Sequence, residues 1–100
     1  MDVRVGSGLD FHRLIENKTR PLMIGGIEIT SDLALEGHSD ADVLLHALAD
    51  AILGACGFSD IGTYFSDKDP ANKNLNSSII LKRSLDMMRQ KGYRLSNCDI

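Results

Sequence analysis

The residues best suited to bind a metal ion or to act as acids and bases are concentrated in two stretches of this chain. Asp10 and His12 close the first stretch, residues 3–12, and the other two of the three histidines, His38 and His46, lie in the second, residues 37–57. A carboxylate and two imidazoles suit zinc, and three protein ligands leave a fourth tetrahedral position for water or substrate, as in catalytic sites. Asp10, His12 and His46 are therefore a candidate metal-binding set.

The first stretch is expected to form a β-strand that carries Asp10 and His12 on one face. Its apolar and β-branched residues are typical of strands, and alternate side chains on a strand project from the same face. A D-x-H pair is common by chance, and alone it more often marks a surface aspartate beside a hydrogen-bonded histidine. The pair becomes a candidate metal site because the second stretch supplies a further histidine, His46.

The second stretch, GHSDADVLLHALADAILGACG, predicts a helix with a core face and a chemical face. At 3.6 residues per turn, the predicted core face consists of Leu44, Leu48, Ala51, Ile52 and Ala55. Asp42, His46 and Asp50 fall opposite, a pattern that simple solvation would also explain. Ser39 is the expected N-cap, with Asp42 completing an approximate capping box. His38 then lies near the positive end of the helix, where anions such as phosphate bind.

The other segments are expected to supply the framework. Two short apolar runs around Gly25 and Gly26 predict a β-hairpin, while residues 13–20 are expected to be a loop. Residues 75–91 predict a second helix that ends at Gly92, as the first ends at Gly57. The predicted apolar side of the second helix consists of Ile79, Ile80, Leu81, Leu85 and Met88. Residues 58–70 predict a long functional loop, although its aspartates could serve only turns, and residues 93–100 resume extended character.

Length and composition predict one domain over residues 1–100, since 43% apolar and 25% charged residues are ordinary for a globular protein. A net charge of −3 without a basic cluster argues against nucleic acid or an anionic membrane as a partner. No apolar run approaches the roughly 18 residues of a membrane span, and the early first motif predicts no leader peptide, hence a cytoplasmic protein. Cys56 and Cys98 are expected to be reduced.

Five spaced motifs together carry a family resemblance. They are G-S-G-L-D-F-H, I-G-G-I, G-H-S-D-A-D-V-L-L-H-A-L-A-D-A-I-L-G-A, D-I-G and F-S-D-K-D-P. In this order they resemble the 2-C-methyl-D-erythritol 2,4-cyclodiphosphate synthase family of the non-mevalonate isoprenoid pathway, over essentially the whole chain. The resemblance implies an α/β (α+β) ferredoxin-like sandwich, a mixed sheet with helices on one face. It also implies an incomplete domain truncated at the C-terminus, and a homotrimer with active sites between subunits.

The resemblance further implies a lyase that converts 4-diphosphocytidyl-2-C-methyl-D-erythritol 2-phosphate to the cyclic diphosphate and CMP. Asp10, His12 and His46 would hold zinc, and Asp10 and His12 would also lie against the substrate. His38, the catalytic candidate, and Ser39 would orient the phosphates. The segments expected beside the sugar alcohol are Asp60, Ile61 and Gly62, and a flap of Phe65, Ser66, Asp67, Lys68 and Asp69. Magnesium or manganese would bind with the substrate through residues absent from this chain.

Three questions stay open at this level. Ser66 replaces the proline common in the family, which makes the flap less pre-ordered. Either Asp42 or Asp50 could orient a metal-bound histidine. The alternative functions are another zinc-dependent phosphoryl-transfer enzyme and a non-catalytic fragment with structural zinc, although no fourth ligand is obvious because both cysteines lie outside the motifs.

Overall fold

The computed structural model describes residues 2–100 and shows a small mixed α/β fold of helices and antiparallel strand pairs. The predicted fold class is confirmed, but the described strands form two separate two-stranded antiparallel sheets and not one mixed sheet. The strands are β1 (Leu14–Glu16), β2 (Leu22–Ile24), β3 (Ile27–Ile29) and β4 (Leu33–Leu35). The helices are α1 (Val43–Ala55), α2 (Ile61–Tyr64) and α3 (Ser77–Gln90), with a 3₁₀ turn at Pro70–Asn72.

The predicted hairpin is confirmed as β2 and β3. Ile24 pairs with Ile27 across a two-residue turn in which Gly25 and Gly26 have φ of 64° and 79°. Two consecutive positive φ angles are the requirement of a type I′ turn, which glycine meets without steric cost. The glycine pair therefore fixes the register of this hairpin.

The other strand pair was not predicted. β1 lies within the expected loop at residues 13–20, and it pairs with β4 so that Leu14 faces Leu35. Each strand has only three residues, too few to show the alternation by which strands are recognised. Their pairing is long-range and leaves Ala34 and Leu35 buried.

The predicted N-terminal strand is wrong for the described chain, because residues 3–12 have no strand assignment. The segment instead runs antiparallel along α1, with Gly6 beside Ala51 and Ala55 and Gly8 beside Ala47. A strand needs a hydrogen-bonded neighbour, and here the helix occupies one side of the segment. Residues 93–100, predicted to be extended, likewise carry no strand assignment.

Helix α1 begins later than predicted. Its N-cap is Asp42 and not Ser39, and the Asp42 carboxylate accepts the Leu45 N–H at 3.1 Å. Gly57, with φ of 79°, ends the helix as predicted, and the Phe58 N–H donates to the Leu53 carbonyl at 2.9 Å. The buried apolar residues of α1 are Leu45, Ala49, Ile52 and Leu53.

The predicted core face of α1 was therefore only partly correct, because Ile52 alone of its members is buried. The other four predicted members, Leu44, Leu48, Ala51 and Ala55, are half-buried. The reason is that α1 is covered from several sides: by the hairpin, by the N-terminal segment and by α3. A single amphipathic stripe describes a helix that packs against one layer only.

Helix α3 starts after the N-cap Asn76 and ends before Gly92, as predicted within two residues. Met88 packs with Ile52 and Cys56 of α1, and Leu48, Phe58, Leu81, Leu85 and Tyr93 surround that cluster. Ile79, which was predicted to lie on the apolar side, is 50% exposed. The buried residues of α3 recur about once per turn and are Ser77, Ile80, Ser84 and Met88.

Cys56 is buried and Cys98 exposed, and both thiols are free. Within residues 2–100, no helix is long and apolar enough to cross a membrane.

Candidate metal centre

The structure brings the three predicted metal ligands together. Asp10 Oδ2 lies 3.0 Å from His12 Nε2 and 3.3 Å from His46 Nδ1. All three candidate ligand atoms lie within 4.8 Å of one another, which is the spacing of side chains that share one ion. Two further residues behind His46 were not predicted from the sequence: Ser77, which contacts its ring, and Asp40, which contacts Ser77.

The D-x-H pair owes its position to the contact between the N-terminal segment and α1. Gly8 lies so close to the Ala47 carbonyl that any side chain there would overlap it. This close approach places Asp10 on the side of α1 that carries His46. The ring of His12 is held from behind, because its Nδ1 lies 2.7 Å from the Glu36 carbonyl oxygen. A carbonyl only accepts hydrogen bonds, so Nδ1–H donates and the Nε2 lone pair points at Asp10.

His46 is buried, with a relative exposure of 6%. Its Nε2 lies 2.7 Å from the Ser77 hydroxyl and 3.3 Å from that of Ser39, which leaves Nδ1 facing Asp10. The side chains of Asp10 and His12 are 24% and 22% exposed. The set is therefore closed on the His46 side and open on the other.

The donor set fits a divalent metal. Two imidazole nitrogens and a carboxylate oxygen are ligands that zinc accepts, and three protein ligands with one open side are the pattern of catalytic zinc sites. Each histidine makes a hydrogen bond through the nitrogen that does not face Asp10, as metal-bound histidines almost always do.

Neither Asp42 nor Asp50 orients the candidate ligands. The fully buried Asp42 carboxylate accepts the N–H groups of Gly25 and Gly26 at 2.9 and 2.7 Å, besides capping α1. Asp50 accepts the Ile61 N–H at 2.8 Å. Both carboxylates therefore join elements of the fold.

The carboxylate behind His46 is Asp40, which reaches it through Ser77. Sequence reasoning missed both residues. Asp40 has the appearance of a turn residue before the helix, and Ser77 that of a cap residue beside Asn76. The D-x-D-x-x-x-H spacing of Asp40, Asp42 and His46 was visible, but nothing in it selects the first aspartate over the second.

His38 precedes the first residue of α1 by five positions, because the helix begins at Val43 and is capped by Asp42. The His38 Nε2 lies 3.1 Å from the Asp69 carbonyl oxygen. Arg20, which was not predicted from the sequence, donates to the carbonyl oxygens of Gly37 and Ser39. It therefore fixes the backbone on both sides of His38. The structure thus brings His38 to the end of the predicted flap.

The predicted D-I-G segment lies at the start of α2. Asp60 is its N-cap and accepts the Thr63 N–H at 3.1 Å, with Ile61 and Gly62 following in the helix. Asp60 also lines a cavity of about 260 Å³. The other lining residues are Ser7, Gly8, Leu9, Asp50, Gly54, Phe58 and Ser59. Gly8 and Leu9 directly precede Asp10, so the cavity lies beside the ligand-bearing segment.

The predicted flap is a compact turn. Ser66 accepts the Lys68 N–H through its hydroxyl and the Asp69 N–H, at 3.1 Å, through its carbonyl. Asp69 caps the following 3₁₀ turn, and Phe65 lies with its ring centroid 6.0 Å from the Arg83 guanidinium carbon. Asp67 and Lys68 are exposed. Asp60 and Asp69, at the two ends of this segment, therefore both serve as N-caps.

Comparison with known proteins gives a consistent result. The YgbB family model matches residues 3–100. The 2-C-methyl-D-erythritol 2,4-cyclodiphosphate synthase of Leptospira borgpetersenii is 54% identical over 96 residues, covering 96% of this chain and 60% of the relative. That of Aquifex aeolicus is 50% identical over 99 residues, covering 99% and 62%. The chain thus spans about 60% of the length of these curated relatives.

Solved structures agree. A structure of the same synthase matches with a TM-score of 0.81 at 43% identity, covering 89% of this chain and 58% of the other. A CDP-bound form of the synthase matches with a TM-score of 0.80 at 40% identity, with the same coverage.

Proposed function

Since this chain belongs to the YgbB family, we propose that the protein acts as a 2-C-methyl-D-erythritol 2,4-cyclodiphosphate synthase in isoprenoid biosynthesis. The observation that supports this most directly is the convergence of Asp10, His12 and His46. The substrate would be 4-diphosphocytidyl-2-C-methyl-D-erythritol 2-phosphate, and the products the 2,4-cyclodiphosphate and CMP.

The reaction needs no covalent intermediate on the protein. An oxygen of the 2-phosphate attacks the β-phosphorus and forms a new P–O bond, while the bond from that phosphorus to the CMP oxygen breaks and CMP leaves with the electron pair. Such phosphoryl transfers depend on positioning and on stabilising charge over the phosphoryl oxygens. The protein's task is therefore to bring two anionic groups together and hold them in line.

Asp10, His12 and His46 are proposed to hold zinc. When bound, the ion supplies Lewis-acid charge withdrawal from a diphosphate oxygen. The protein groups behind it keep both imidazoles oriented: Glu36 through its carbonyl, and Ser77 through its hydroxyl. The exposed parts of the Asp10 and His12 side chains leave the approach for a phosphate open.

His38 and Ser39 are proposed to orient the phosphate groups. Both lie on the loop that Arg20 fixes, and Ser39 lies next to His46. Residues 60–62 and the cavity that Asp60 lines are proposed to receive the erythritol part, with residues 65–69 as the flap beside it. Asp50 and Asp60, which line that cavity, suit a polyol because carboxylates accept hydrogen bonds from hydroxyl groups.

Assembly and location are proposed on the same basis. We expect a cytoplasmic homotrimer with active sites between subunits, and magnesium or manganese bound together with the substrate's diphosphate. The direct check is the mass of the full-length protein in solution, measured by light scattering with and without CDP.

The decisive test supplies zinc-loaded full-length protein with the cytidyl diphosphate substrate. Equimolar CMP and cyclic diphosphate are expected, measured by chromatography and ³¹P NMR. Asp10→Asn keeps the side-chain shape but removes the charge, so zinc and CMP formation should both be lost. Asp32→Asn, the same change at an exposed position, is the matched control and should retain both. A zinc-loaded wild type that releases no CMP would refute the synthase assignment in favour of another phosphoryl-transfer reaction.

A further inference from the structure

The most informative contact outside the candidate ligands is a buried hydroxyl on α3. Ser77, the first residue of α3, is 0% exposed and lies between the Asp40 carboxylate and His46. We infer that Asp40 and Ser77 are positioning residues that hold His46 in one tautomer, with Nδ1 free to bind metal. This inference rests on the proposed metal site.

The proton assignments follow from what each group can donate. An ionised carboxylate only accepts, so the Ser77 hydroxyl donates its single proton to Asp40 Oδ1. The same hydroxyl then has only lone pairs left for His46, 2.7 Å away. His46 Nε2 must therefore carry the proton and donate it to Ser77. A neutral imidazole has one N–H, so Nδ1 bears the lone pair.

The opposite tautomer would disable the site. With its proton on Nδ1, His46 would donate to Asp10 Oδ2, 3.3 Å away, and occupy the carboxylate that should bind the ion. The Ser39 hydroxyl, 3.3 Å from Nε2, can either donate or accept and so selects neither tautomer. The chain from Asp40 through Ser77 thus selects the metal-binding form before any ion arrives.

Asp40 is itself fixed by several hydrogen bonds, as its role in orienting Ser77 requires. Its Oδ2 accepts the Ser77 N–H at 3.0 Å, its Oδ1 also accepts the Asp42 N–H at 3.2 Å, and its own N–H donates to the Leu75 carbonyl at 3.1 Å. It lies at the N-terminus of α3, where the helix dipole favours a negative charge. The carboxylate is therefore fixed in position by these contacts.

The test compares two buried serines of the same helix in the full-length protein. Ser77→Ala removes the contact to His46, while Ser84→Ala removes a buried hydroxyl that bonds only the Ile80 carbonyl at 2.9 Å. Zinc affinity is measured by competition with a chromophoric chelator. Loss of an outer hydrogen-bond partner typically weakens metal binding by about 10- to 100-fold. We expect that loss for Ser77→Ala and an unchanged affinity for Ser84→Ala.

A second readout needs neither metal nor turnover. Long-range ¹H–¹⁵N NMR of the metal-free protein reports which imidazole nitrogen is protonated. We expect His46 as Nε2–H in the wild type and a mixture in Ser77→Ala. Asp40→Asn, which frees the serine proton to turn toward His46, should shift the tautomer in the same direction and serves if Ser77→Ala does not fold.

The outcomes separate the two proposals. Wild-type zinc affinity in Ser77→Ala, or an Nδ1–H tautomer in the wild type, would overturn the positioning role while leaving the synthase assignment intact. A wild type that turns over no substrate would refute the assignment, and the NMR tautomers would still decide the inference.

Discussion

Gly8→Ala should weaken metal binding although Gly8 is not a ligand. A Cβ at this position would lie 1.9 Å from the Ala47 carbonyl oxygen and 2.8 Å from its carbonyl carbon. Both are backbone atoms of α1, which have little freedom to move. Because ordinary contact begins at 3.4 Å, the N-terminal segment must retreat by about 1.5 Å.

The size of the effect follows from that retreat. Asp10 lies two residues on, and metal–ligand distances tolerate deviations of only about 0.2 Å. To bind zinc, the Gly8→Ala variant must therefore press the new Cβ back against the Ala47 backbone, and such overpacking costs about 1–3 kcal/mol. That free energy corresponds to about 5- to 150-fold in zinc affinity.

The assay is a zinc competition titration of the full-length protein, together with urea unfolding in excess chelator. Gly54→Ala is the matched control, because it adds the same methyl group where nothing lies within 4 Å. It should leave zinc affinity unchanged and stabilise α1 by about 0.5–1 kcal/mol. Wild-type zinc affinity in Gly8→Ala would refute the view that this close approach sets the position of Asp10.

Three further changes separate stability from the site. Asp42→Ala leaves the N–H groups of Gly25, Gly26 and Leu45 without their acceptor, so urea unfolding should show a loss of about 3 kcal/mol or more. Leu53→Ala, at a position 1% exposed, should cost about 2–5 kcal/mol in the same assay, and more than Leu48→Ala at a half-buried position. Arg20→Lys should speed amide hydrogen exchange in residues 37–39 with little change in the free energy of unfolding, because lysine lacks the forked guanidinium that bonds both carbonyl oxygens. Unchanged exchange rates would contradict the view that Arg20 holds this loop.

The sequence predicted best what depends on local rules. The hairpin follows from Gly25 and Gly26, which permit the turn, and the helix ends follow from Gly57 and Gly92, whose φ values are positive. The candidate metal-binding triad was predictable because all three histidines fall in two stretches, one with a D-x-H pair and the other with His46 on a recognisable helix. The hairpin and the helix ends depend on neighbours within about one turn, whereas the triad was inferred from residue types that bind metal.

Long-range contacts explain what the sequence did not predict. Asp40 meets Ser77 across 37 positions, and no periodicity joins them. Asp42 and Asp50 have the four-residue spacing from His46 that suggests a shared face, yet each bonds a backbone N–H of another element. The choice among three similar carboxylates is made by tertiary packing, which brings α3 to one of them.

The close contact between α1 and the N-terminal segment gives new meaning to residues first assigned to the core. Ala51 and Ala55 were predicted to face the interior, but the N-terminal glycines lie against their backbone and that of Ala47, with the Ala55 Cβ beside Gly6. A short side chain such as that of Asp10 can reach His46 only if the two backbones approach this closely. The contact between these backbones therefore sets the 3.3 Å distance between Asp10 and His46, and a side chain at Gly6 or Gly8 would separate the ligands before it disturbed the core.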